Sequence, residues 1–111
     1  MKKILTAALI SLGLTSSIYA GSCSGLVCSQ VKVTEVVATS WGSITVSTDA
    51  NEAGLSCKTY ANKYMYIAAN AAGKNAQYSA LLTAKTTKAP IRINLVKDAQ
   101  GICQIAYIVV K

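Results

Sequence analysis

Apolar and polar residues along this chain change period in a fixed order, and that order predicts strands, one helix and then strands again. Val31 and Val33 alternate with Lys32 and Thr34, so Gln30 to Ala38 reads as a half-buried strand. Val36-Val37 interrupts the alternation and predicts a bulge or a change of face there. Ser40-Trp41-Gly42 is a turn, and Ile44 and Val46, alternating with Thr45 and Ser47, form a second strand that pairs as a hairpin with the first. Leu55 to Ala69 is a third strand, with a break expected near Ala61-Asn62. If it ran on unbroken, Tyr60, Tyr64 and Tyr66 would share one face, with Met65 and Ile67 on the other.

From Asn75 the period lengthens. Tyr78, Leu81 and Leu82 fall at i, i+3 and i+4, one face of a helix over Ala76–Thr87 with Asn75 as its N-cap. Lys85 and Lys88 oppose the dipole at its C-terminal end, and Ala89-Pro90 stops it. Ile91, Ile93 and Leu95 alternate with Arg92 and Asn94 in a fourth strand, Ile91 to Val96. Ile102 to Val110, apolar on both faces, is a fifth strand, central or enclosed. Three strands, a helix and two strands is the connectivity of a five-stranded, OB-fold-like barrel, a β-rich α+β class. A stapled α+β sheet with one covering helix is the competing architecture.

The first twenty residues stand outside this pattern. Lys2 and Lys3 precede an apolar run, Ile4 to Leu14, too short to span a bilayer, and Ser16 to Ala20 offers small residues before a cut. Met1–Ala20 is therefore expected to be a signal peptide cleaved before Gly21, sending the protein to the periplasm or out of the cell. A lipid anchor on Cys23 fits poorly, because Ala20 stands where a lipobox has a large aliphatic residue. The remaining 21–111 form a single domain of a size at which covalent staples help.

Four cysteines in an exported domain imply two disulfides. Three connectivities exist. Cys23–Cys28 with Cys57–Cys103 is favoured, because Ser24 to Val27 can turn back on itself and the long pair would tie an early strand to the last. The long loop contributes about 4 kcal/mol and the short one roughly 2 kcal/mol in a chain-entropy account. A zinc site is not expected, since the spacing is wrong and the chain has no histidine.

Composition narrows the chemistry. Loss of Lys2 and Lys3 lowers the net charge from +7 to +5, and the remaining basic residues are scattered without a run, which reads as solvated surface. Single-stranded nucleic acid is a third-ranked ligand, and an exported destination counts against it. Without histidine, a paired-carboxylate signature or a nucleotide motif, the chain is not expected to be an enzyme, nor to carry a cofactor. Asp49, Asn51, Glu52 and Gly54 read as turn residues rather than a calcium loop. Binding is the better-supported class, with Trp41, Tyr60, Tyr64 and Tyr66 as candidate ligand-binding residues, because aromatic faces with polar edges suit sugars.

The leader, the helix at Ala76–Thr87 in the late middle and the early-to-late cysteine pair together resemble the B subunits of AB5-type bacterial toxins. That resemblance implies an OB-fold, a homo-oligomeric ring and recognition of cell-surface glycans, and carries over no individual residue. The chain is also similar to short secreted proteins of Gram-negative bacteria, in Tyr78-Ser79-Ala80-Leu81-Leu82 and in the closing Cys103-x-x-x-Tyr107-Ile108, a likeness that implies no activity. The alternative function is a periplasmic structural or inhibitor protein working through contact with an envelope protein.

Overall fold

A computed structural model of the chain describes residues 21–110. The expected leader, Met1–Ala20, lies outside the described residues. The elements are β1 (Ser22–Ser24), β2 (Val27–Val31), β3 (Val33–Ala38), β4 (Ile44–Thr48), β5 (Met65–Ile67), α1 (Lys74–Thr87), β6 (Ile91–Lys97) and β7 (Cys103–Val110). They form one seven-stranded sheet in the order β1-β2-β6-β7-β5-β4-β3, and the described residues add one helix and two disulfides. No described helix is long and apolar enough to cross a membrane.

Seven strands stand where the pattern predicted five. The first expected strand is two, β2 and β3, separated by Lys32. The backbone departs from ladder geometry at Gln30, whose φ is +53°, and the β2–β6 register shifts between Cys28 and Val31. The second irregularity lies between Val33 and Glu35, not at Val36-Val37, which pair regularly with Val46 and Thr45. Two adjacent valines are thus accommodated without a bulge. The extra strand, β1, is the near arm of a hairpin with β2 in which Cys23 faces Cys28 and is bonded to it. The β3–β4 hairpin is present as expected.

The third expected strand shrinks to Met65–Ile67. Ala61 and Asn62 both have positive φ, at +51° and +66°, and Lys63 N–H donates to the Tyr60 carbonyl. That is a type I′ turn, and it reverses the chain between Tyr60 and Tyr64. Asparagine tolerates the left-handed region, whereas alanine does so at about 1 kcal/mol or more. Ala61→Gly should therefore raise stability by about 0.5 kcal/mol after the added chain entropy of glycine is subtracted. A urea melt reads this as a higher midpoint at unchanged slope, and a lower midpoint would mean the turn is not strained.

The core lies between the sheet and α1. Val31, Val46, Met65, Ile67, Ile91, Ile93 and Cys103 are fully enclosed, and Leu81 and Ala84 are the buried helix residues, packed against β3 and β7. The helix begins two residues earlier than predicted, at Lys74 instead of Ala76. Its N-cap is Gly73, with no side-chain cap, and Asn75 sits inside the first turn. Leu82 is largely exposed, so the buried face is Tyr78–Leu81–Ala84 instead of the triple that included Leu82. Lys88 takes a left-handed C-terminal conformation, and Pro90 follows. β7 is central in strand order, but only its first half is enclosed, and Tyr107 and Val110 are exposed.

The sheet has one weak seam. β5 and β7 are its only parallel neighbours, and they share one paired position, Tyr66 with Gln104. Lys58 continues the seam by pairing with Ile102, its N–H donating to the Gly101 carbonyl and its carbonyl accepting from Cys103 N–H. The Cys57–Cys103 disulfide bridges the same line, with a Cα–Cα distance of 5.0 Å.

Candidate functional site

A cleft of about 440 Å³ opens on the sheet face opposite the core, lined by Trp41, Ser43, Thr45, Tyr60, Tyr66, Ala68, Ala69, Asp98 and Ile102. Its floor follows from strand periodicity. Ile44 and Val46 are buried, so Ser43 and Thr45, at the alternate positions, face the cleft, and Trp41 reaches it from the loop before the strand. Likewise Met65 and Ile67 are buried while Tyr66 and Ala68 face out, and Thr45 sits directly across from Tyr66 in the ladder.

The Trp41 wall is a three-residue hairpin loop. Thr39 N–H donates to the Ser43 carbonyl, Gly42 N–H donates to the Thr39 carbonyl, and Gly42 has φ +97°. This is a type I turn closed by a left-handed residue, which is why Gly follows Trp here. The loop carries the Trp41 ring outward, 68% exposed.

The polar end belongs to Asp98, which opens the β6–β7 turn. Its Oδ1 accepts from the N–H groups of Gln100 and Ile102, both at 2.8 Å, and its Oδ2 accepts from the Tyr66 hydroxyl at 2.6 Å. Those bonds, the Tyr66 hydroxyl first and the Ile102 amide next, hold the Asp98 carboxyl below the usual carboxylate range. Burial, then the hydrogen bond to Asp98 and last the Asp98 charge, push the Tyr66 phenol up to about 12. Each shift has its own pH window. Asp98 is lowered on folding, so its contribution is complete above its ordinary value and fades as pH falls through the lower folded one. Tyr66 is raised, so its contribution is complete below pH 10.0, its ordinary value, and fades as pH rises towards about 12. An absorbance titration at the phenolate band should lose its component near pH 12 in Tyr66→Phe. Persistence of that component would assign it to another tyrosine.

Of the four aromatic candidates, Trp41, Tyr60 and Tyr66 meet in the cleft and Tyr64 does not. The turn at Ala61-Asn62 breaks the shared parity, and the Tyr64 hydroxyl donates instead to Glu35 Oε1 on β3 at 2.9 Å. Lys63 pairs with the same carboxylate at 3.1 Å and lies 5.0 Å over the Tyr64 ring. Tyr64 thus anchors the turn that presents Tyr60. Asp98, Ser43, Thr45 and Ile102 were not anticipated as site residues. For Ser43 and Thr45 the signal was the two-residue alternation with Ile44 and Val46, and for Asp98 it was a place in the turn before the last strand, where an aspartate side chain can accept from following amides.

Compared with known proteins, the chain matches no family model and no curated sequence. The reading of the site therefore rests on its geometry. The cleft joins two apolar ring faces, Trp41 and Tyr60, to a hydroxyl and a carboxylate fixed at one end. A cleft of this kind sets flat apolar faces beside fixed hydrogen-bond acceptors.

Proposed function

We propose that the protein is an exported, non-catalytic binding module that takes a saccharide in the Trp41–Tyr60–Tyr66 cleft. The observation that carries the reading is the convergence of two aromatic side chains from separate segments, Trp41 and Tyr60, on the Tyr66–Asp98 pair. A carboxyl held below its usual range supplies no proton near neutral pH, and the cleft lining includes no second acid, which favours binding over catalysis. The leader-like Met1–Ala20 and the two disulfides support export to the periplasm or beyond. A glycan array probed with the mature, oxidised protein tests the reading. Signals that fall in Tyr66→Phe support it, and an array without signal sinks it.

The same proposal includes an OB-like barrel that assembles into a ring, as the toxin B-subunit resemblance implies. Barrel closure is supported by continuity. β2 and β3 stand far apart in the strand order, yet only Lys32 separates them in the chain. A single strand run whose first half pairs β6 and whose second half pairs β4 would curl the sheet back on itself. Counted so, β2 with β3 is one of five barrel strands and β1 is an added edge. Exposed Val96, Tyr107 and Val110 on β6 and β7 are the apolar residues available for contact between subunits. The second reading, a periplasmic structural or inhibitor protein, offers those same residues to an envelope protein. Native mass by light scattering separates the two, since a pentamer favours the ring and a monomer favours the envelope partner.

A further inference from the structure

Lys74 stands where a helix least favours a cation. It is the first residue of α1, beside the positive end of the helix dipole, and the first turn has no acidic residue to offset it. A residue that breaks a local rule in this way is expected to serve something outside its own element. Here the Lys74 ammonium donates to the Gly42 carbonyl at 3.0 Å, across 32 positions of sequence. Gly42 directly follows Trp41 and closes the turn that carries it. That turn is braced within itself by Thr39, whose N–H and hydroxyl both donate to the Ser43 carbonyl, at 3.0 and 2.7 Å. The turn therefore moves as a unit, and Lys74 ties that unit to the start of α1.

We infer that Lys74 is a positioning residue for the cleft: through the Gly42 carbonyl it holds the Trp41 wall at its working distance from Tyr60 and Tyr66. The inference rests on the saccharide reading for its consequence in affinity, but not for its consequence in Trp41 motion. Little else restrains the ring, which is mostly exposed. Gly42 also has little room to shift toward the body of the protein, because an added Cβ there would stand 3.1 Å from the Ala69 Cβ. Release of the carbonyl would thus let the turn swing outward. A wall ordered before the ligand arrives does not have to be ordered on binding, which is where the affinity comes from.

Trp41 is the only tryptophan, so its fluorescence reports this wall without a label. Time-resolved anisotropy should show a larger fast-decaying fraction in Lys74→Met, which keeps the side-chain length and removes the donor, than in the parent protein, and Lys74→Arg, which can still donate to Gly42, should restore the slow decay. The thermal midpoint of Lys74→Met should stay level or rise, because a cation has left the positive end of the helix. A merely structural lysine would lower the midpoint and leave the anisotropy proportionate to it. On the glycan array, Lys74→Met should weaken binding by about tenfold. An unchanged anisotropy decay in Lys74→Met overturns the inference. A changed decay with no array signal from any of the proteins upholds the positioning role and removes the saccharide.

Discussion

Replacing Cys57 and Cys103 together by alanine should destabilise the protein by about 4 kcal/mol, most of the stability expected of a domain this small. The pair closes a loop with a sequence separation of 46, and the unfolded chain regains that freedom when the bond is lost. Its position adds a local consequence. The β5–β7 seam has one paired position of its own, Tyr66 with Gln104, and its continuation at Lys58 lies directly beside Cys57. Without the bond, the residues on the two sides of the seam are held by few ladder bonds. Tyr66 lies on one side, and Asp98 and Ile102 on the other, so the cleft straddles the line that opens. Chemical denaturation of the double variant should show a much lower midpoint. Amide exchange should be fastest at Lys58 and Cys103, whose N–H groups bond across the seam. Opening of the Cys23–Cys28 pair offers a control, because it closes a loop with a separation of only 5 and lies in the β1–β2 hairpin, away from the cleft. Equal losses from the two pairs would contradict the role given to the seam.

Trp41→Ala should weaken saccharide binding by about thirtyfold while leaving the fold intact. The ring is 68% exposed and contributes little to the core, so its removal should shift the thermal midpoint by no more than a surface substitution does. Its loss takes away one of the two apolar faces on which a sugar can stack, and aromatic anchors of this kind carry a large share of binding energy. Isothermal titration with the strongest saccharide from the array measures the change. Unchanged affinity would remove Trp41 from the site, and a large drop in midpoint would show that the residue is structural. Tyr60→Ala makes the complementary test on the other exposed ring of the cleft lining.

The partition between what was readable and what was not follows the range of the interactions. Helix α1 and strand β6 were legible because each is decided within about a dozen residues: a three-to-four-residue apolar period, a stop at Ala89-Pro90, then a two-residue period from Ile91. The hairpin at Ser40-Trp41-Gly42 was legible because a glycine after two turn residues meets a local backbone requirement. The break near Ala61-Asn62 was legible too, and because parity along a strand holds only while the strand runs on, the two left-handed residues there take Tyr64 off the face of Tyr60 and Tyr66. Asn75 suits a cap intrinsically, yet α1 begins two residues before Ala76, at Lys74, whose ammonium is tied to the Gly42 carbonyl across 32 positions.

By itself, then, the sequence determined the class of the protein: a stapled, β-rich domain with one helix, a cysteine set able to close two bonds, and a single tryptophan set beside a glycine in a turn. These are properties of periodicity, turn chemistry and composition, which act over short stretches of chain. Only the tertiary structure decided that Trp41, Tyr60 and Tyr66 face one cleft, that Asp98 rather than another acid orients the Tyr66 hydroxyl, and that Lys74 reaches the Trp41 turn. Each of those depends on contacts across 30 or so positions, such as Tyr66 with Asp98 and Lys74 with Gly42. The strand order that creates them is set by which edges pair, and a two-residue period says which face a side chain takes but not which strand lies beside it.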